Sequence, residues 1–324
     1  MKSTINEILK DRKYLFFGYG RTALEFGYEY LGLGPGDEIL YPNYICDVTV
    51  LPAKKLGIGI KYYDVFDTLE PNFESAAGLI TDKTKAFLSV NYFGFPQPFK
   101  KIREFCKQYR LFYIEDNAHS SLSQIEGGGV GTFGDISIFS FRKLIPLVNG
   151  AVLLINMFDN DRFKIIESKT QYLIEEKVII KRIKCLIKRY CRIQNYDLDK
   201  ILKRVIQVPE AGSTEEEDFP YKIDKSSLSV LLNYDLLNDS IKRRFNYNKM
   251  LTKVNKDFKP IFNNLPESVV PMVCPFYTSD RDKWLEYYRR NNIKVFIWPT
   301  LPRWVANNSK NAIQIWKKII VFNV

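Results

Sequence analysis

Apolar residues in the first half of this chain fall into short runs, separated by polar stretches with helical spacing. Ile39-Leu40-Tyr41-Pro42, Lys61 to Val65, Ala86 to Asn91, Leu111 to Ile114, Gly134 to Lys143 and Ala151 to Ile155 have the length and composition of buried strands. Between them, Thr22 to Tyr30 has Leu24 and Tyr28 four apart, Cys46 to Leu56 reads as a helix, and Phe99 to Tyr109 is a helix with a basic outer face. Leu31-Gly32-Leu33-Gly34-Pro35-Gly36 is a turn cluster. Residues 15–66 therefore open on a helix, followed by strand, turn, helix and strand. Such alternation predicts an α/β fold with a mostly parallel central sheet covered by helices.

The pattern changes at residues 169–204. Ile179, Ile183, Leu186, Ile187 and Tyr190 share one helical face, and Lys181, Arg182, Lys184, Lys188, Arg189 and Arg192 fill the rest. A basic amphipathic helix suits weak peripheral contact with a membrane or an acidic partner. The plainer reading is a helix covering the protein's own core, since apolar stripes usually face inward. Residues 207–222 read as a loop with the acidic run Glu215 to Asp218, and a helix is expected from Ser226 to Asn248. Beyond residue 250 a smaller α+β unit is expected. It has a strand near Val269–Cys274, helix Ser279–Asn291, strand Lys294–Trp298, helix Lys310–Lys318 and a last apolar run from Ile319 to Val324. The domain expectation is a large unit over 1–237, carrying the basic insert at about 169–204, and a small one over 238–324.

Composition narrows the class. The chain has 324 residues and 46% hydrophobic content, enough for a sizeable core. No apolar run approaches the roughly 20 residues that span a bilayer, and the first residues have no signal-peptide core. The five cysteines, Cys46, Cys106, Cys185, Cys191 and Cys274, include no CxxC pair, so neither a disulfide framework nor a zinc site is expected, and no metal. A cytoplasmic protein is the expectation. The net charge of +11 is concentrated at residues 161–210, with thirteen basic against seven acidic residues. Charge alone leaves nucleic acid, a membrane surface and an anionic small ligand open.

The candidate chemistry lies at strand ends. The run Leu111 to Ile114 ends in Glu115-Asp116, and three residues on is His119, the only histidine. The next strand ends in Ser140, Arg142 and Lys143. In α/β folds ligands bind at the carboxyl ends of strands. An acid, an imidazole, a hydroxyl and an amine gathered there match what pyridoxal phosphate chemistry needs. Gly18-Tyr19-Gly20-Arg21-Thr22 opens a helix, whose first N–H groups suit a phosphate. Each signal alone is weak: Asp116 could cap a helix, and a lone His119, Ser140 or Lys143 would be unremarkable.

The chain resembles the DegT/StrS-type family of pyridoxal phosphate-dependent sugar aminotransferases, a branch of fold type I. The resemblance runs in order through Gly20-Arg21-Thr22-Ala23-Leu24, Gly34-Pro35-Gly36-Asp37-Glu38, Tyr41-Pro42-Asn43-Tyr44, Tyr63-Asp64-Val65, Asn91-Tyr92-Phe93-Gly94, Ile114 to His119, Gly134-Asp135 and Phe139-Ser140-Phe141. It implies a fold type I large domain and pyridoxal 5'-phosphate as cofactor. Gly20, Arg21 and Thr22 would hold the cofactor phosphate with Ser140, Asp116 would pair with the pyridine nitrogen, and His119 would lie by the phenolic oxygen. Lys143 would carry the cofactor and shuttle protons. The implied activity moves an amino group, from glutamate, to a keto group of a nucleotide-linked sugar for polysaccharide or glycoconjugate synthesis, in a homodimer without nucleic acid.

Two departures stand out. The family lysine usually follows the serine by five residues, whereas Lys143 follows Ser140 by three, an arrangement seen in one subgroup. The family's ring-stacking aromatic aligns with Cys46, which leaves Tyr44, Tyr92 and Phe93 as alternatives. The chain is also short for the family, so a truncated C-terminus is expected. Two rival functions remain: a sugar dehydratase or deoxygenase, in which the lysine is replaced by another base, and a non-catalytic membrane-peripheral protein with a decayed site.

Overall fold

In a computed structural model, residues 4–125, 128–175, 221–291 and 293–324 are described. Their strands are β1 (Lys13–Phe17), β2 (Glu38–Pro42), β3 (Gly59–Tyr63), β4 (Thr84–Val90), β5 (Phe112–Asp116), a short hairpin of β6 (Gln124–Ile125) with β7 (Gly128–Gly129), β8 (Ile136–Ser140), β9 (Ala151–Ile155), β10 (Phe258–Pro260), β11 (Val273–Thr278), β12 (Val295–Phe296) and β13 (Ile319–Asn323). Seven of them form one sheet in the order β1-β9-β8-β5-β4-β2-β3. The pairs β2·β3, β2·β4, β4·β5 and β5·β8 are parallel, and only β9 runs against its two neighbours. The expected mostly parallel sheet is therefore present. A second, antiparallel sheet has the order β10-β11-β13-β12.

Burial on both faces explains the unbroken apolar runs. Every residue of β8 and β9 is buried, and β4 is buried except at Lys85. Helix Gly20–Leu31 packs against β8 and β9 so closely that a Cβ on Gly27 would come within 2.6 Å of Ile136 Cδ1. That helix ends at Gly32, whose φ of +76° is the left-handed cap that glycine adopts without steric cost. Beneath the sheet's active edge, the Tyr28 and Tyr41 hydroxyls share a buried hydrogen bond.

Several elements differ from the sequence reading. β1 precedes the first expected helix; its alternate burial of Leu15 and Phe17 was hidden by aromatic residues at Tyr14 and Phe16. The helix expected over Cys46–Leu56 is a 3₁₀ turn, Asp47–Thr49, and a separate helix, Leu51–Lys55, whose first turn carries Pro52. The run Gly134–Lys143 is strand only to Ser140, then turns as 3₁₀ over Phe141–Lys143. The helix over Ser226–Asn248 is two, Lys225–Leu232 and Leu236–Lys253. Asp235 caps the second by accepting from Asn238 N–H at 2.9 Å. The strand near Val269–Cys274 starts later, at Val273, because Val269 and Val270 are held by other contacts: Ser123 Oγ accepts from Val270 N–H at 3.0 Å. Helix Lys310–Lys318 and the closing strand lie where the pattern put them.

Most of the basic 169–204 segment, and the acidic run at 215–218, lie outside the described residues. Their flanks meet, since Ile174 bridges Tyr221. No helix among the described residues is long and apolar enough to cross a membrane.

The two sheets share one hydrophobic core. Polar seams also join them: Asp47 N–H donates to Thr300 O at 2.9 Å, and Met272 N–H to Phe93 O at 2.8 Å. The antiparallel sheet is thereby set against the carboxyl edge of the parallel strands.

Candidate active site

β2, β4, β5 and β8 point the same way, so Asn43, Asn91, Asp116 and Ser140 reach one edge of the sheet. A cavity of about 550 Å³ opens there, with His119, Lys143, Arg243, Lys294, Phe296 and Trp298 in its walls. Lys143 reaches this cavity because the chain leaves β8 in a tight 3₁₀ turn rather than continuing straight. Its side chain is exposed along the open cavity. Desolvation lowers the amine's pKa; Asp116 and Cys46 oppose this, and Arg142 assists it. An amine tuned downward is a better base and nucleophile near neutral pH.

Asp116 ends β5 and is 5% exposed. Burial raises its pKa, and Lys143 and the Ala118 N–H, which donates to Oδ1 at 2.8 Å, pull the other way. The side chains of Asp116 and Glu115 have different surroundings. Glu115 is an internal anchor, accepting from Asn91 Nδ2 at 3.0 Å and Gly131 N–H at 2.8 Å.

His119 is fully buried, and burial, then Lys143, depresses its pKa well below the usual value. Its Nδ1 accepts from Phe93 N–H at 3.4 Å, which assigns the ring proton to Nε2 and makes that nitrogen a donor. Phe93 lies across the imidazole at 5.8 Å, and Trp298 meets it edge-on at 4.5 Å between ring centres. The neutral ring has a consequence for stability. The unfolded chain titrates near 6.5, so protons favour the unfolded state, and stability falls as pH drops below that value. His119→Gln is expected to flatten the fall in the urea midpoint between about pH 7 and about pH 5. Equal slopes in the two proteins would contradict it.

The anion cradle is the start of helix Gly20–Leu31. Its N-cap, Tyr19, gives no side-chain cap, so the first N–H groups are not claimed by a capping side chain. A Cβ built on Gly20 would sit 3.6 Å from Ser140 Cβ and 3.9 Å from Ser140 Oγ, so the helix N-terminus and the hydroxyl face each other. Thr22 is buried within the first turn. The Arg21 and Arg142 guanidinium carbons lie 4.8 and 5.1 Å from the centre of the Tyr19 ring, which brings two cations to the same corner. The structure thus gathers Gly20, Arg21, Thr22, Ser140, Asp116, His119 and Lys143 at one edge.

Of the residues considered for stacking, Cys46 is half-buried, with its thiol pKa raised by burial and lowered by the nearby Lys143 charge. Tyr44 is fully buried, and its hydroxyl donates to Trp298 O at 2.5 Å. Sequence reading did not single out Trp298 or Arg243. An i,i+4 signal was present for the second, since Asp239 and Arg243 are four apart on one helix and pair at 2.9 Å.

Comparison with known proteins follows the same lines. Residues 3–157 match the model of the DegT/DnrJ/EryC1/StrS aminotransferase family. The dTDP-4-dehydro-2,3,6-trideoxy-D-glucose 4-aminotransferase of Saccharopolyspora spinosa is 34% identical over 42% of this chain and 36% of its own length. The match therefore spans about a third of that relative. The GDP-perosamine synthase of Vibrio cholerae is 25% identical over 91% of this chain and 84% of its own. The crystal structure of an aminotransferase from Psychrobacter cryohalolentis has the same fold, with a TM-score of 0.72 at 18% identity over 99% of this chain and 84% of that one.

Proposed function

We propose that this chain, whose residues 3–157 match the DegT/DnrJ/EryC1/StrS aminotransferase family, is a pyridoxal phosphate-dependent aminotransferase. It moves an amino group from glutamate to a keto group of a nucleotide-linked sugar, for polysaccharide or glycoconjugate synthesis. The observation that carries this reading is the approach of a buried carboxyl, Asp116, to the Lys143 amine that lines the cavity, on the sheet edge where a helix start without a capping side chain faces Ser140.

These residues fit the cofactor. The N–H groups at Gly20, Arg21 and Thr22, with the Ser140 hydroxyl, would take the phosphate. Asp116 would pair with the pyridine nitrogen, and the His119 Nε2–H would donate to the phenolic oxygen. When bound, the cofactor supplies an electron sink for the carbon that carries the amino group. Asp116 keeps that sink protonated, which requires its carboxylate form. Lys143 anchors the cofactor and, once released, removes and returns the proton at the carbon undergoing exchange; its lowered pKa leaves more of the amine in the basic form. The amino group leaves glutamate as 2-oxoglutarate forms, and the keto sugar becomes an amino sugar. The basic cavity wall at Lys294 suits a diphosphate-bearing substrate, and a homodimer is part of the proposal.

The retained lysine favours amino transfer over deoxygenation. The test is a panel of nucleotide-linked keto sugars, incubated with glutamate labelled in its amino nitrogen. The reading expects label in one nucleotide-linked amino sugar together with release of 2-oxoglutarate. Loss of the sugar's hydroxyl without label would instead mean a dehydratase.

A further inference from the structure

Arg243 is 3% exposed on helix Leu236–Lys253, and its guanidinium is hydrogen-bonded in three directions. Nε donates to Asp239 Oδ2 at 2.9 Å, Nη1 to the Met272 carbonyl at 3.0 Å and Nη2 to the Leu144 carbonyl at 2.8 Å. Leu144 directly follows Lys143. Met272 in turn donates its N–H to Phe93 O at 2.8 Å, and Phe93 donates its N–H to His119 Nδ1 at 3.4 Å. A path of hydrogen bonds, continued through the backbone, thus leads around the cavity from the turn that carries Lys143 to the imidazole of His119. Lys143, His119, Arg243 and Met272 all line that cavity.

We infer that Arg243 is a positioning residue, which sets the Lys143 amine against His119 by holding the Leu144 and Met272 carbonyls in one rigid fork. The inference rests on the reading of Lys143 as the working amine. A buried guanidinium is a poor choice for stability alone, because desolvation offsets most of the gain from its partners, and an apolar side chain would pack as well. Its planar, pre-organised donors do suit a fixed angle between two carbonyls, which a flexible ammonium cannot reproduce. The Lys143 turn needs such support. It is a single 3₁₀ turn, and two backbone hydrogen bonds run back to Phe141 O, from Leu144 N–H at 3.0 Å and Ile145 N–H at 2.7 Å. Arg243 comes from helix Leu236–Lys253, which packs against β11 of the antiparallel sheet.

The test compares the parent with Arg243→Lys and Arg243→Ala, as full-length folded protein. The pH dependence of Lys143 acetylation is read by peptide mass spectrometry without cofactor, and kcat and KM are read with it. The charged and titratable groups facing the amine are Asp116, Cys46, Arg142 and His119, with Lys294 on the cavity wall; none of them is altered. The inference expects the Lys143 midpoint to move upward in both variants, as the turn relaxes and the amine gains water. It expects kcat to fall on the order of 10- to 100-fold, with KM for glutamate changed much less. Added guanidinium should restore part of the lost kcat in Arg243→Ala. An unchanged midpoint with kcat within about twofold of the parent would overturn it, as would a loss of thermal stability alone. Should Arg243→Ala fail to fold, Asp239→Ala, which removes the acceptor of Nε and leaves both carbonyl contacts, carries the test with a smaller upward shift. A shifted midpoint in a protein that takes up no cofactor would uphold the positioning role and sink the proposed function, so the two failures are distinguishable.

Discussion

Lys143→Ala is expected to lower the rate of amino transfer by at least about a thousandfold, because one side chain both anchors the cofactor and moves the proton. The structure explains why no neighbour can take over. The other amine at the cavity, Lys294, belongs to the antiparallel sheet's side of the wall, and Arg142 carries a guanidinium that does not deprotonate. His119 is held neutral with Nδ1 occupied by the Phe93 N–H, so only its Nε2–H faces outward as a donor. The variant should still fold, since Lys143 forms no salt bridge among the described residues. Added methylamine would restore part of the proton-transfer rate if geometry, and not fold, is what the variant lost. Activity within tenfold of the parent would remove Lys143 from the mechanism.

The second large effect is expected from Asp116→Asn, and it has opposite signs for activity and stability. The amide retains an oxygen for the Ala118 N–H, now 2.8 Å from Asp116 Oδ1, so the local turn should survive. It cannot hold a pyridine nitrogen protonated. Loss of kcat on the order of 10²- to 10⁴-fold is expected, with cofactor uptake largely preserved. In the cofactor-free protein the same change should stabilise. Burial raises the Asp116 pKa above its ordinary 3.8, so the folded form binds the proton more tightly than the unfolded chain. Stability from this group is therefore full below the ordinary value and is lost as pH rises through the raised one. At neutral pH the asparagine variant should gain about 1 kcal/mol in urea unfolding, and the gain should vanish in acid. Asp116 also opposes the lowering of the Lys143 pKa, so its loss should move the lysine midpoint further down. A variant that is destabilised at neutral pH, or one that keeps full activity, would contradict this account of Asp116.

Much of the fold was legible where one rule acted alone. Strands buried on both faces, such as Ala151–Ile155, and helices with a strong apolar stripe, such as Phe99–Tyr109 and Lys310–Lys318, emerged with close to their true limits. The errors fall where two rules compete. Asp235 lies in an apolar pattern that continues on both sides, yet its cap interaction breaks the helix. Ser140-Phe141-Arg142-Lys143 has strand composition throughout, and only tertiary packing turns it at Ser140. The site was legible in its strand ends, because Asp116, His119, Ser140 and Lys143 are close in sequence to the elements that position them. Trp298 and Arg243 were not, because they come from the antiparallel sheet's part of the chain and are held at the cavity through carbonyls at residues 144, 272 and 298 that no side-chain pattern encodes. Tyr92 is an example of the same kind: its hydroxyl donates to Tyr44 O at 2.6 Å, a link that ties two strand ends together and cannot be read from either alone.

The most direct test of the central claim is to reduce the protein with borohydride in the presence of pyridoxal phosphate, digest it, and find which peptide carries the cofactor. The account predicts a single modified peptide, with the added mass on Lys143 and none after prior treatment with glutamate. Cofactor on a different lysine, or on none, would contradict it.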